Sequence, residues 1–333
     1  MIELQQNELT VRAPEVHERA ECQIDFQRTL RIPDDNREYP LPAGLGPFPV
    51  FHVDDYAGKV PQSWIEHGGV FLPMYQSEAM WLNFGFGGGY PFAIKVAAGK
   101  INAVSGEAWQ NGLSGKPQDY AVIPEQPWLD GFSIGDGRIR QFVAMPLGEG
   151  YTAEGQITGK EEHGGLQLAL YPMKADYYEK HLAGRDAGGE VWGAMGTLCF
   201  EADEAEMGLA PGGVMQQSIY DDPYGIDAWD TSAMTRCFVH IVNSEAFVGI
   251  TGRRPPNKPI LADEYRTANI PWLDYWNDEV KALKGSKILA GLDSMAAKMI
   301  KDGKPVKEPI VQIEDQKVVQ LGKRRSKVRD GSF

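Results

Sequence analysis

The sequence contains little cysteine and no long apolar run. Three cysteines occur in 333 residues, Cys22, Cys199 and Cys237, and none belongs to a Cys-x-x-Cys pair. This spacing is typical of buried free thiols in a reducing compartment, because disulfide frameworks and zinc sites need paired cysteines. No segment approaches the roughly 20 apolar residues of a membrane helix, and the first residues lack the basic and apolar regions of a signal peptide. We therefore expect a soluble, cytoplasmic protein without a membrane span.

The sequence also lacks two common motifs for nucleotide and zinc chemistry. It contains no G-x-x-x-x-G-K-[ST] and no H-E-x-x-H. The glycine cluster at 85–89 departs from G-x-G-x-x-G, and it leads into a β-like segment instead of the helix that binds a dinucleotide phosphate. The cluster therefore predicts a tight turn or bulge. Apart from the divalent cation considered below, we predict no cofactor.

Basic residues are outnumbered by acidic ones. The chain has 33 Lys and Arg against 46 Asp and Glu, which gives a formal net charge of −13. Non-specific nucleic-acid binding needs a basic surface, so we expect no nucleic-acid partner. Basic residues do gather at the C-terminal end, in 323–333, where we expect a short flexible tail.

Glycine and proline are plentiful, at 38 and 22 residues, and they favour short strands joined by turns. Residues 138–146 become apolar on both faces toward their end, and residues 166–170 alternate leucine with Gln167 and Ala169. The connection 147–165 is too long for a simple hairpin, and loops held by a rigid sheet are where sites tend to lie. In the first strand we predict three core residues, Ile139, Val143 and Met145.

These patterns predict an α+β, β-dominated fold with mainly antiparallel, sandwich-like sheets, a helical C-terminal extension and a terminal hairpin. We assign 1–255 to a β-rich main domain, with a subdivision near 115–127 as the alternative. The proline-rich loop 253–259 marks the boundary, and 256–322 holds the helical extension and the hairpin that packs back. The extension is predicted from helical spacing of four apolar residues, Ile288, Leu292, Met295 and Met299. The hairpin is predicted over 309–322.

Two local predictions depend on shorter patterns. Pro211-Gly212-Gly213 predicts a turn before a strand at 214–220. The apolar run from Ala246 to Thr251 predicts a strand beside an interior strand at 237–242.

The acidic loop 221–230 is the best candidate for a metal site. Its carboxylates are hard oxygen ligands that suit Ca²⁺ or another divalent cation, although their spacing does not match an EF-hand. The alternative is a solvated loop whose aspartates cap ordinary turns. The four carboxylates are Asp221, Asp222, Asp227 and Asp230.

Acid–base chemistry has three candidates on two segments. Glu161 and His163 lie in the long connection before a strand, where a carboxylate and an imidazole can cooperate. His240 lies in the apolar run 237–242 and is a candidate ligand or base. The alternatives are an exposed loop without chemistry and a core histidine with one backbone partner.

Aromatic residues are concentrated around 71–92 and 272–276. Such side chains line ligand pockets and protein interfaces, and they also fill β-rich cores. Our candidates for ligand binding are Tyr75, Trp81, Tyr90, Trp272 and Trp276. The same aromatic content suggests a homo-oligomer, so that the chain itself is the predicted partner.

Two classes of function remain open. We expect a soluble binding protein or a structural, self-associating protein, because no catalytic spacing is complete. The alternative is a metal-assisted or carboxylate-based hydrolase that uses the 221–230 loop, the 161–163 loop or both. The sequence does not decide whether the protein is an enzyme.

Overall fold

The computed structural model describes residues 1–35, 37–85, 89–183, 206–306, 309, 311 and 317–323. Cys199, the centre of the glycine cluster and the tail beyond 323 lie outside the described residues. The strands are β1 Ile2–Gln5, β2 Glu8–Arg12, β3 Glu21–Thr29, β4 Glu38–Tyr39, β5 Leu41–Pro42, β6 Gly44–Pro47, β7 Phe51–His52, β8 Val70–Met74, β9 Ala79–Gly85, β10 Phe92–Ala98, β11 Ile101–Asn102, β12 Ala121–Ile123, β13 Trp128–Leu129, β14 Gly131–Gly135, β15 Arg138–Pro146, β16 Leu166–Pro172, β17 Glu206–Gln216, β18 Thr235–Asn243, β19 Trp272–Asn277 and β20 Val318–Lys323. The α-helices are α1 Gln62–His67, α2 Ala153–Thr158, α3 Ala175–His181, α4 Phe247–Thr251, α5 Ala262–Thr267, α6 Lys287–Ala290 and α7 Met295–Lys301.

The main sheet is built from two runs of paired strands. One run is β12–β10–β16–β18–β8–β7, and the other is β1–β2–β3–β9–β15–β17. The start of β17 joins them, because Glu206 and Met207 pair with Val242 and Ile241 of β18. Most of these pairs are antiparallel, and β18–β8 is parallel. The predicted β-dominated α+β class with mainly antiparallel, sandwich-like sheets is confirmed.

The core lies where both runs contribute apolar side chains to one cluster, including Ile24 of β3, Leu82 of β9, Ile94 of β10 and Leu168 of β16. Period-two alternation places Ile24 correctly on the buried face of β3, because successive strand side chains point to opposite faces, whereas β16 is buried on both faces. The three predicted core residues Ile139, Val143 and Met145 are all 0 % exposed.

The hairpin of β14 and β15 shows why glycine is needed at two positions. The chain turns through Asp136 and Gly137, which both have positive φ, as the Asp-Gly pair predicts. At Gly131, a Cβ atom would lie 1.9 Å from the carbonyl oxygen of Arg140. Any side chain there would push the paired strands apart.

Two local predictions are wrong. Residues 211–213 continue β17, and the register shifts there against Arg140 and Phe142 of β15, so the glycines form a bulge instead of a turn. Residues 247–251 form helix α4, because Phe247 and Ile250, three positions apart, both pack into a buried cluster.

The predicted helix through 288–299 is divided in two. Ser286 begins α6 and Ser294 begins α7, each accepting a hydrogen bond from a backbone N–H at the third position of its helix. A serine that caps a helix start competes with continuation of the preceding helix. Ile288 is 47 % exposed as a result, whereas Met295 is buried.

The C-terminal strand has a partner that the sequence did not predict. β20 pairs in parallel with β19, which also pairs with β5 near the N-terminus. The first arm of the predicted hairpin lies mostly outside the described residues, and the division into domains remains a prediction. Within the described ranges, no helix has the length and apolar character needed to cross a membrane.

Candidate functional site: a cleft between three loops

A cleft lies where three loops far apart in the sequence meet, namely 113–120, 219–226 and 281–285. The larger compartment has a volume of about 600 Å³ and is lined by Leu113, Ser114, Gly115, Lys116, Gln118, Tyr120, Asp221, Asp222, Gly225 and Ile226. A smaller compartment of about 290 Å³ is lined by Val104, Ser105, Pro117, Gln118, Asp221 and residues 281–285. Gln118 and Asp221 line both compartments. Their combined size is that of small-molecule sites in general, which span ~300–1,000 Å³.

Gln118 holds the 113–120 and 219–226 loops together. Its Nε2 donates hydrogen bonds to the carbonyl oxygens of Tyr120 and Tyr220, at 2.8 and 3.1 Å. Its Oε1 accepts a hydrogen bond from the backbone N–H of Asp222 at 2.9 Å. Because the side chain is buried and uses both ends of its amide, it fixes the floor of the cleft.

The 281–285 loop attaches to the acidic loop through the backbone. The N–H of Asp221 donates to the carbonyl oxygen of Lys281 at 2.7 Å, and the N–H of Leu283 donates to that of Ile219 at 2.7 Å. These bonds form a short antiparallel bridge between the two segments. The walls of both compartments are therefore joined to one another.

A buried ion pair anchors the 113–120 loop to β10. Nζ of Lys95, on β10, lies 2.5 Å from a carboxylate oxygen of Asp119, and both side chains are buried. The other carboxylate oxygen of Asp119 accepts the N–H of Ser114 at 2.8 Å. Removing one partner of such a pair would leave an uncompensated buried charge, so the loop is held in one position.

Asp222 is fully engaged by the protein. One carboxylate oxygen accepts hydrogen bonds from the Tyr120 hydroxyl at 2.7 Å and from the Trp229 indole at 2.8 Å. The other accepts the N–H of Tyr224 at 2.8 Å. Burial, followed by the nearby Asp222 carboxylate, raises the pKa of Tyr120, which therefore stays a donor. Asp222 supports the cleft wall and has little capacity left for a ligand.

Asp221 differs from its neighbour. It is partly exposed, it lines both compartments, and its carboxylate has no hydrogen-bond or ion-pair partner among the described residues. An ionised carboxylate accepts several hydrogen bonds. Of the four predicted metal ligands, Asp221 is the one placed to contact a ligand.

The remaining acidic-loop residues lie away from the cleft lining. Asp230 accepts hydrogen bonds from Ser232, which lower its pKa, while Asp227 is exposed and its backbone carbonyl accepts from Lys174. In the part of the chain that the structure describes, no three acidic, histidine or cysteine side chains form a group suited to a metal. Asp230 therefore matches the alternative prediction for this loop, in which an aspartate caps an ordinary turn.

The cleft also offers apolar surface. Ile226 is 40 % exposed, and Leu113 is half-buried on the opposite loop. Ligand sites commonly combine such surface with a few polar groups.

Glu161 and His163 lie near one another with different environments. Both carboxylate oxygens of Glu161 accept hydrogen bonds, from Gly150 and Thr152. His163 has its Nδ1 3.1 Å from Oε1 of Glu154, whose side chain is only 6 % exposed. A carboxylate that orients one ring nitrogen leaves the other for acid–base chemistry.

His240 is 6 % exposed, stacks on Trp64, and has its Nε2 3.0 Å from the carbonyl oxygen of Gly68. Burial lowers its pKa to about 4. His240 therefore matches the alternative prediction of a core histidine with one backbone partner. Its ring centroid is 6.3 Å from that of His67, which in turn is 6.2 Å from that of His163.

The aromatic candidates divide by burial. Tyr90 and Trp272 are 0 % exposed and Tyr75 is 7 % exposed, so they belong to the core in this structure. Trp81 and Trp276 are half-buried. None of the five lines the cleft.

The pentapeptide Gly131-Phe132-Ser133-Ile134-Gly135 has the spacing of a nucleophile elbow, but its geometry is different. An elbow places its serine at a sharp turn between a strand and a helix. Ser133 instead lies inside β14, 3 % exposed, and its backbone N–H donates to Ala103. The hydroxyl has no catalytic setting here.

Comparisons of the chain with protein-family models, with curated proteins and with solved structures find no match. Sequence reasoning missed Gln118, Tyr120 and Lys116, since a polar segment between strands carries no pattern that distinguishes a wall of a cleft from a simple connection.

Proposed function

We propose that the protein binds a small polar molecule in the cleft between the 113–120, 219–226 and 281–285 loops. The observation that carries this proposal is the carboxylate of Asp221, which lines both compartments and has no partner among the described residues. The hydrogen bonds of Gln118 keep the walls in place, so little ordering would accompany binding. A preorganised site loses less entropy when its ligand binds.

A thermal-shift screen against sugars, sugar acids, sugar phosphates, amino acids and nucleosides tests the proposal. We expect at least one compound to raise the melting temperature, because a ligand at 100 times its Kd stabilises the native state by about 2.7 kcal/mol. D221N should weaken binding by about 10- to 150-fold, the equivalent of ~1.5–3 kcal/mol for a hydrogen bond to a charged group. D227N is the matched control, since Asp227 is on the same loop but outside the cleft lining.

Filling the cleft gives an independent check. I226W would occupy the larger compartment and should abolish the ligand shift without lowering the melting temperature of the free protein by much. I300W is its control, because Ile300 is 68 % exposed on α7 and does not line the cleft. A ligand shift that survives both D221N and I226W would contradict binding at this place.

A second candidate function is hydrolysis with His163 as general base. The pairing of His163 with the buried Glu154 carboxylate favours it, because general bases are commonly oriented in this way. Turnover of chromogenic esters, phosphates and glycosides by the protein should fall about 100-fold or more in H163Q. E162Q, beside it on the exposed part of the loop, should leave turnover unchanged. No turnover of any substrate would remove this candidate.

A further inference from the structure

Three lysines surround the cleft. Lys116 lines the larger compartment, and Lys281 and Lys284 line the smaller one. All three are exposed residues, and none forms an ion pair within the described ranges. Several other lysines have carboxylate partners, for example Lys301 with Asp293 and Lys304 with Glu149.

The acidic groups of the cleft do not balance these lysines. Asp222 already accepts hydrogen bonds from Tyr120, Trp229 and the backbone of Tyr224, and these donors partly compensate its negative charge. Asp221 is the remaining carboxylate in the lining. In a chain of net charge −13, the cleft is thus bordered by more cations than free anions. Clefts with one excess sign of charge raise the local concentration of ligands with the opposite sign.

The polar groups left for a ligand indicate its chemistry. The amide of Gln118 is used by the protein at both ends, and the Tyr120 hydroxyl donates to Asp222. The charged groups that remain are the Asp221 carboxylate, which accepts from hydroxyl or ammonium groups, and the lysine ammonium groups, which bind carboxylate or phosphate. Both kinds of group line the smaller compartment.

From this arrangement we infer that the ligand is a small hydroxylated anion, whose phosphate or carboxylate group lies against Lys116, Lys281 and Lys284 and whose hydroxyl groups donate to Asp221. This inference rests on the proposed function, since it specifies the ligand of the same cleft.

The test compares neutral sugars with derivatives that keep the ring and carry an anionic group at one end. Calorimetric titrations with glucose, glucuronate and glucose 6-phosphate, and with ribose and ribose 5-phosphate, are carried out at constant ionic strength. We expect the anions to bind at least about tenfold more tightly than the neutral sugars, and the difference between glucuronate and glucose 6-phosphate to show which anionic group fits.

Single substitutions locate the anion. K116Q, K281Q and K284Q should each weaken anion binding by about two- to fivefold, as ion pairs near a surface do, and the triple variant should remove the preference for anions. K287Q is the control, because Lys287 is exposed on α6 but does not line the cleft. An NMR titration with inorganic phosphate, using chloride as the reference salt, should shift amides of the three loops and not those near other lysines.

The outcomes separate the two proposals. A neutral compound that binds as tightly as its anionic partner, with sensitivity to D221N, would overturn the anion inference and leave the binding function intact. Phosphate shifts spread over lysines throughout the surface would also overturn it. If no compound in the full screen binds in a way that depends on Asp221, the binding function itself fails, and the inference fails with it.

Discussion

Replacing Asp130 with asparagine measures the effect of ionising a carboxyl group in the core. Asp130 is 1 % exposed and lies between β13 and β14. Its Oδ2 accepts a hydrogen bond from Nε2 of Gln217 at 2.8 Å, and its backbone N–H donates to Oε1 of the same residue at 3.0 Å. Burial raises the pKa of Asp130 from 3.8 to about 7, although the bond from Gln217 opposes the shift.

The sign of the pH effect follows from this shift. Between pH 4 and pH 7 the folded protein holds a proton on Asp130 that the unfolded chain releases, so the free energy of unfolding decreases as pH rises through this window. A shift of about three pKa units at roughly 1.36 kcal/mol per unit gives a loss of about 4 kcal/mol by pH 8. Below pH 4 this contribution is fully present.

The assay is urea unfolding of wild type and D130N at half-unit steps from pH 4 to pH 8. Asparagine keeps the shape and the acceptor for Gln217 but cannot ionise, so D130N should gain about 4 kcal/mol relative to wild type between pH 4 and pH 8. D136N is the control, because the Asp136 side chain is 86 % exposed in the turn of the same hairpin. A difference between D130N and wild type that stays constant over this pH range would refute the reasoning.

Three further predictions use other buried groups. Because burial lowers the pKa of His240 from 6.5 to about 4, stability should fall as pH drops through this window, and H240F should remove about 3 kcal/mol of that fall in unfolding experiments. Arg28 pairs with the buried Glu78; R28Q should cost about 3–5 kcal/mol in urea unfolding, and R28M/E78M should recover most of the loss. Burial raises the pKa of Cys22 and Cys237, the latter to about 12, so peptide mass spectrometry should find neither alkylated by iodoacetamide in the native protein.

The fold class and individual strands follow from local patterns. Cys22, Ile24 and Phe26 alternate with polar residues, and all three are 0 % exposed in β3. The sequence predicts a turn at 211–213 where the structure has a bulge, because glycine tolerates a bulge within a strand as readily as a turn. The strand prediction at 246–251 is wrong because a six-residue segment rich in apolar residues can form either a strand or a short helix.

The candidate site was accessible from the sequence only in part. The acidic loop was identified, yet Asp221 and Asp222 are identical neighbours whose roles depend on which partners the fold provides. Tyr120 and Trp229 engage one of them, and the other is left facing the cleft. Part of this distinction depends on Tyr120, which is 102 positions from Asp222 in the sequence, and no local pattern encodes such a contact.

The bridge between Asp221 and Lys281 has a consequence for biosynthesis. The N–H of Asp221 donates to the carbonyl oxygen of Lys281, so the acidic loop obtains this anchor only after residue 281 has been synthesised. A nascent chain that ends before this point contains the 113–120 loop and both aspartates but not the third wall. The cleft therefore forms late, and a ligand bound there would favour finished chains over shortened ones, because it adds stability only to molecules that contain the complete site.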